Sequence, residues 1–265
     1  METHIGSAGS GAISGDIEVR KRITIIAVIG LCLAAFIVQL NADESADLRI
    51  RVKQSNSGIK DLKATVVVKD SNRKELEKMG KVFAETYQFK KANLCFKLPD
   101  CLKINGELGM MKVEFVTAGN NRHIRIPTIR FKKHEDITEE QEKRMSSLDI
   151  GFISDAVWDI YSVKLARKEK SESGTDIYVL KLQTAGSKKS QEIWIDSTDL
   201  RMLRRDRLFD DGSLKVKTIY SDHKLFGGLW IPIKAEVYNG EGKLAASTET
   251  KDIEINTGIE DKEFE

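Results

Sequence analysis

The chain has 265 residues, 40% of them hydrophobic and 32% charged, with 43 basic against 41 acidic side chains and a net charge of +2. That length and apolar content support a real core in one large domain or two small ones. The near-balanced charge supplies no long-range attraction for nucleic acid, so no nucleic-acid partner is expected.

Near the start, Arg20, Lys21 and Arg22 precede an apolar run from Ile23 to Val38, followed by Leu40-Asn41-Ala42 and the acidic Asp43-Glu44. A basic patch, an apolar stretch and a small residue in that order form the pattern of an export signal cleaved after Ala42. The alternative is an uncleaved inner-membrane anchor over residues 23–40, because the run approaches the roughly 20 residues of a membrane span. Either reading places residues 43–265, taken as one domain, in the periplasm or another extracytoplasmic space. Cys32 follows Leu31 and not a small residue, so it is not read as a lipid-attachment site.

After this segment, residues 44–54 are expected to form a short helix ending at Ser55-Asn56-Ser57-Gly58. Leu62, Ala64, Val66 and Val68 alternate with other residues as a strand does. Residues 73–81 are rich in helix formers, with Leu76, Met79 and Val82 as a thin apolar stripe, and predict a connecting helix. Strand-like runs follow at 87–89, 94–98, 101–104, 111–116 and 123–126, punctuated by Gly106, Gly109 and Gly119.

The middle of the chain differs. Thr138-Glu139-Glu140-Gln141 matches a capping box for a charged helix reaching Met145. Ser154 is expected to cap a second short helix that carries Val157, Trp158 and Tyr161 on one side, as core packing or as a cover over a curved sheet.

From Tyr161 onward, apolar-polar alternation restarts after each short turn: Val163 and Leu165; Tyr178, Leu180 and Leu182; Ile193 and Ile195; 202–209; Leu214 to Tyr220; Ile231 to Val237; and a last strand around Ile253 and Ile255. Strands that bury one face and wet the other predict an antiparallel sheet curling around its contents. Pro232 cannot donate to a ladder and is expected at an edge or bulge of an incomplete barrel. The run Arg201, Arg204, Arg205 and Arg207, interleaved with Asp199, Asp206 and Asp210, reads as a solvated strand face.

Cys95 and Cys101 allow either a disulfide closing a small loop around Pro99 or two buried free thiols. The separation of His123, His134 and His223 argues against a metal site. No Gly-x-Ser-x-Gly elbow or His-Glu-x-x-His helix places a base beside Ser154, His123 or His223. Paired carboxylates joined by folding are the one catalytic route left open. No enzyme activity and no cofactor are expected.

Trp194-Ile195-Asp196, Leu203-Arg204-Arg205, Asp211-Gly212-Ser213-Leu214, Gly227-Gly228-Leu229-Trp230-Ile231-Pro232 and Ile255-Asn256-Thr257-Gly258-Ile259 with Phe264 occur in this order. The series resembles the outer-membrane lipoprotein-sorting proteins of the LolA-like superfamily. The resemblance implies an α+β fold: an incomplete antiparallel β-barrel with helices covering its concave side and an apolar cavity for acyl chains. It also implies a carrier that takes lipids or lipoproteins from an inner-membrane donor to an outer-membrane acceptor. The first strand lacks the arginine with which the best-known carriers hold their lid closed. Phe115, Trp158, Tyr161 and Trp230 are the candidate wall residues. The competing expectation is a membrane-tethered envelope sensor or scaffold that binds lipids or lipoproteins and a partner protein.

Overall fold

The computed structural model describes residues 44–140, 144, 150–154, 156–184, 186 and 188–265. The export signal or anchor and most of the expected helix after Thr138 lie outside these residues. No helix among the described residues is long and apolar enough to cross a membrane.

Residues 44–56 form helix α1. Strand β1 (Asp61–Ser71) follows, then helices α2 (Arg73–Met79) and α3 (Lys81–Thr86). Asn72 caps α2 by accepting from Glu75 N–H, and the helix stops at Gly80, whose φ of 121° turns the chain. That turn buries Phe83 beside Leu76 and Met79 and leaves the expected Val82 exposed. Residues 87–89, expected as strand, are a turn and its exit.

A meander then runs through β2 (Lys91–Lys97), β3 (Cys101–Leu108), β4 (Met111–Ala118), β5 (Asn121–Ile126) and β6 (Phe131–Asp136), the last of which the alternation did not signal. After helix α4 (Val157–Ile160), a second meander comprises β7 (Ser162–Lys170), β8 (Asp176–Gln183), β9 (Ser190–Asp196), β10 (Met202–Leu208) and β11 (Leu214–Ser221). The small hairpin β12 (Lys224–Phe226) and β13 (Leu229–Ile231) precedes β14 (Lys234–Asn239) and β15 (Leu244–Ile255).

All pairings are antiparallel, and 13 strands join in the order β6-β5-β4-β3-β2-β1-β15-β14-β11-β10-β9-β8-β7. Strand β15 pairs with β1 and so joins the two meanders. Among the described residues β6 and β7 do not pair, so the sheet remains an open half-barrel. Pro232 is not at its edge. It lies between β13 and β14, where the chain leaves the small hairpin for the interior of the main sheet. A residue without an N–H suits that break.

Helices and hairpin cover one face. Leu62, Ala64 and Val66 of β1 pack with Leu76, Met79 and Phe83 on one side of the core, and Leu229 and Ile231 of the hairpin join them. On the other side, Leu48 and Val52 of α1 meet Leu180, Leu182, Ile193 and Ile195. The strands β6 and β7 are successive in the chain yet occupy opposite edges. Between them, Ile150, Phe152 and Ile153 pack into the core and so lie on the concave, covered face.

Candidate functional site

Between the concave face and these covering residues lies an apolar cavity of ≈ 100 Å³. Its sheet wall comes from Leu94 and Phe96 of β2, Leu102 of β3 and Arg205 of β10. Its cover comes from Ile150, Phe152, Val157 and Ile160. Gly151 lets the cover approach the sheet: its φ is +68°, and a Cβ there would lie 2.5 Å from the Tyr220 ring. Only glycine meets both conditions without strain. The buried Asn56 at the end of α1 donates to the Ile153 carbonyl at 2.9 Å and ties the cover to that helix.

A second, smaller cavity of ≈ 10 Å³ adjoins the first, and Phe96 and Phe152 line both. Their rings meet edge to face at 5.1 Å and form the partition. Cavities of about 150 Å³ lined by apolar side chains stay dry and accept a benzene-sized guest. The main cavity is smaller than that, partly open, and lined mostly by apolar side chains.

Among the described residues the wall carries few polar groups. Arg144 donates to Asp100 at 2.9 Å and also bonds Asn120. Ser154 is buried, but α4 starts from Ala156 without a side-chain cap, so the expected capping by Ser154 is not formed. Arg205 is 1% exposed, and burial pushes its guanidinium down to about 10, which leaves it charged at neutral pH.

The placement of Arg205 corrects the reading of its run as a solvated face. The register between β9 and β10 shifts between Met202 and Arg204, which makes Leu203 the extra residue of a bulge. Simple alternation would turn Arg205 away from the side that holds Met202. The bulge turns both inward, each 1% exposed. Arg205 then stands opposite Ile193 and Thr218, both buried. Arg204 remains on the outer face, 4.1 Å from the Trp194 ring and bonded to Asp206. Arg207 lies on the inner side, 5.3 Å from Phe83.

None of the four expected wall residues lines the cavity. Phe115 packs edge-on against Phe89 at 6.4 Å. Trp158 and Tyr161 belong to the core beside α1, where the Tyr161 hydroxyl accepts from Gln191 at 3.1 Å. Trp230 lies on the small hairpin under the Arg201 guanidinium at 5.5 Å. Helix α4 does lie over the sheet, but it presents Val157 and Ile160 to the cavity. Trp158 is the large apolar group of the covering helix, and size and position together made it a candidate. The three-residue spacing of Val157 and Ile160 was the available signal.

Cys95 and Cys101 are free thiols on adjacent strands. Cys95 stands opposite Lys103 and Cys101 opposite Lys97, a diagonal relation. Diagonal neighbours have α-carbons about 7–8 Å apart, beyond the about 4.4–6.8 Å usual for a disulfide. This register favours separate thiols.

No family model matches the sequence, and no curated protein matches it. Solved structures do. A LolA superfamily protein from Nitrosomonas europaea superposes with a TM-score of 0.56 at 12% identity, covering 82% of this chain and 97% of that one. A putative outer membrane lipoprotein-sorting protein domain from Vibrio parahaemolyticus gives 0.54 at 15% identity, covering 86% and 97%. A DUF1329 family protein from Desulfovibrio piger gives 0.52 at 15% identity, covering 83% and 95%. The fold of this chain is the LolA-like open half-barrel.

Proposed function

We propose that this protein is a non-enzymatic, extracytoplasmic carrier that shelters the acyl chains of lipids or lipoproteins for transfer toward the outer membrane. The observation that carries this reading is the apolar cavity between the concave sheet and the covering residues Ile150, Phe152, Val157 and Ile160. Each buried methylene contributes about 0.8 kcal/mol, so acyl chains bind such a surface without a specific polar motif. Among the described residues the lining is mostly apolar side chains, with one hydroxyl, Ser154, which supports carriage. Export by residues 1–42 would bring the domain to its cargo.

The test is lipid extraction of the full chain purified from its native envelope, with mass spectrometry of the extract. A fluorescence titration of the delipidated protein with a polyene fatty acid accompanies it. Co-purifying acyl lipids and saturable probe binding are expected. Protein that yields no lipid and binds no probe would overturn the proposal.

A further inference from the structure

Away from the cavity, the fold joins two histidines that stand 11 residues apart in sequence. Strands β5 and β6 are connected through the turn Pro127–Ile129 and Arg130, whose φ of 53° is left-handed. The resulting register sets His123 directly opposite His134. Direct opposition in an antiparallel pair puts both side chains on one face with their β-carbons about 4.5–5.5 Å apart. The rings lie with centroids 4.5 Å apart and an interplanar angle of 60°, and the two Nδ1 atoms converge to 3.3 Å.

That separation has a chemical meaning. Two ligating imidazole nitrogens at about 2.0–2.1 Å from a tetrahedral ion are about 3.3–3.4 Å from each other. Without an ion the same contact is a long hydrogen bond, one ring's N–H donating to the other's lone pair. We propose that His123 and His134 chelate one divalent ion of the zinc class through their Nδ1 atoms on the outer face of the β5–β6 edge.

The neighbours are occupied elsewhere. Glu114 is held by Lys103 at 3.2 Å and Arg125 at 3.1 Å. Asp136 accepts from the backbone and hydroxyl of Thr138. Among the described residues no group of three or more His, Cys, Asp or Glu is placed to hold a metal. With two ligands from the described residues, the remaining coordination positions fall to water. A closed structural zinc site uses four protein ligands, so this ion is exchangeable and does not hold the fold together. Imidazole donors suit zinc, copper and nickel, and exclude magnesium and calcium, which take oxygen ligands.

The test is isothermal titration of zinc chloride into the tag-free full chain, repeated for His123→Gln, His134→Gln and the control His223→Gln. Circular dichroism melting of each variant confirms folding. Even outer-shell partners are worth about 10–100-fold in metal affinity, so losing a ligand weakens binding by at least about tenfold. Binding of one equivalent that is lost in the first two variants and kept in the third supports the site. Absence of zinc binding, or binding unchanged by His123→Gln and His134→Gln, overturns it.

Discussion

Asp61 at the start of β1 accepts hydrogen bonds from Thr257, 2.7 Å from its backbone N–H and 3.0 Å from its hydroxyl. The other carboxylate oxygen accepts from the N–H groups of Gly258 and Ile259 at 3.1 and 3.3 Å. The chain can wrap one carboxylate this way because Asn256 and Gly258 both adopt left-handed conformations, with φ of 55° and 75°. The Ile255–Ile259 motif is thus a clamp that fixes the end of the chain to the first strand. Asp61→Ala leaves these donors without their acceptor and is expected to cost about 2–3 kcal/mol, measured by urea unfolding at pH 7.

The same clamp makes stability pH-dependent. Burial alone would raise the Asp61 carboxyl, but the hydrogen bonds from Thr257, Ile259 and Gly258 outweigh it and hold the group below the ordinary range. A carboxyl depressed on folding contributes stability above its unfolded value of about 3.9, and that contribution is lost as pH falls through the folded value. The stability gap between the native protein and Asp61→Asn is expected to be full at pH 7 and to shrink below about pH 4. A gap that stays constant to pH 2.5 would contradict this account.

The cavity makes opposite predictions for neighbouring residues. Val157→Trp fills the space and is expected to weaken polyene fatty acid binding by about tenfold, which is 1.4 kcal/mol. Phe152→Ala removes the partition between the two cavities and is expected to tighten binding, at a stability cost of about 2–3 kcal/mol. Trp158→Ala should leave affinity unchanged, because that ring does not border the space. Fluorescence titrations of the three variants provide the comparison.

A second buried polar link can be tested separately. Asn239 is 1% exposed and donates to Glu75 at 2.6 Å, while its oxygen accepts from the N–H groups of Glu241 and Lys243 at 2.9 and 3.0 Å. It closes the β14–β15 turn and ties it to α2. Asn239→Ala is expected to destabilise by about 2–3 kcal/mol. Glu75→Gln, which keeps an acceptor, should cost less in the same denaturation series.

Burial pushes the thiols of Cys95 and Cys101 above their ordinary values. The thiolate is the reactive form, so alkylation of the native protein near neutral pH is expected to be slow and to accelerate on unfolding. Peptide mapping after labelling in the two states reads this directly. Resistance to labelling in unfolded, unreduced protein would show that the two residues are bonded.

Alternation alone identified most strands, from β1 with Leu62, Ala64 and Val66 inward to the long succession ending at Ile255, because period two is a local property of the chain. The stripe Leu76–Met79 and the turn glycines were legible for the same reason. The site was not. A bulge at Leu203, expressed only through pairing with β9, decided that Arg205 points into the barrel. The topology that sends β6 and β7 to opposite edges set residues 150–154 and 156–160 over the concave face and selected Val157 and Ile160 over the larger Trp158. Cross-strand register joined His123 to His134 and set Cys95 diagonal to Cys101. Sequence periodicity determines which residues share a face. Which faces meet depends on pairing between distant segments, and only the folded sheet decides that.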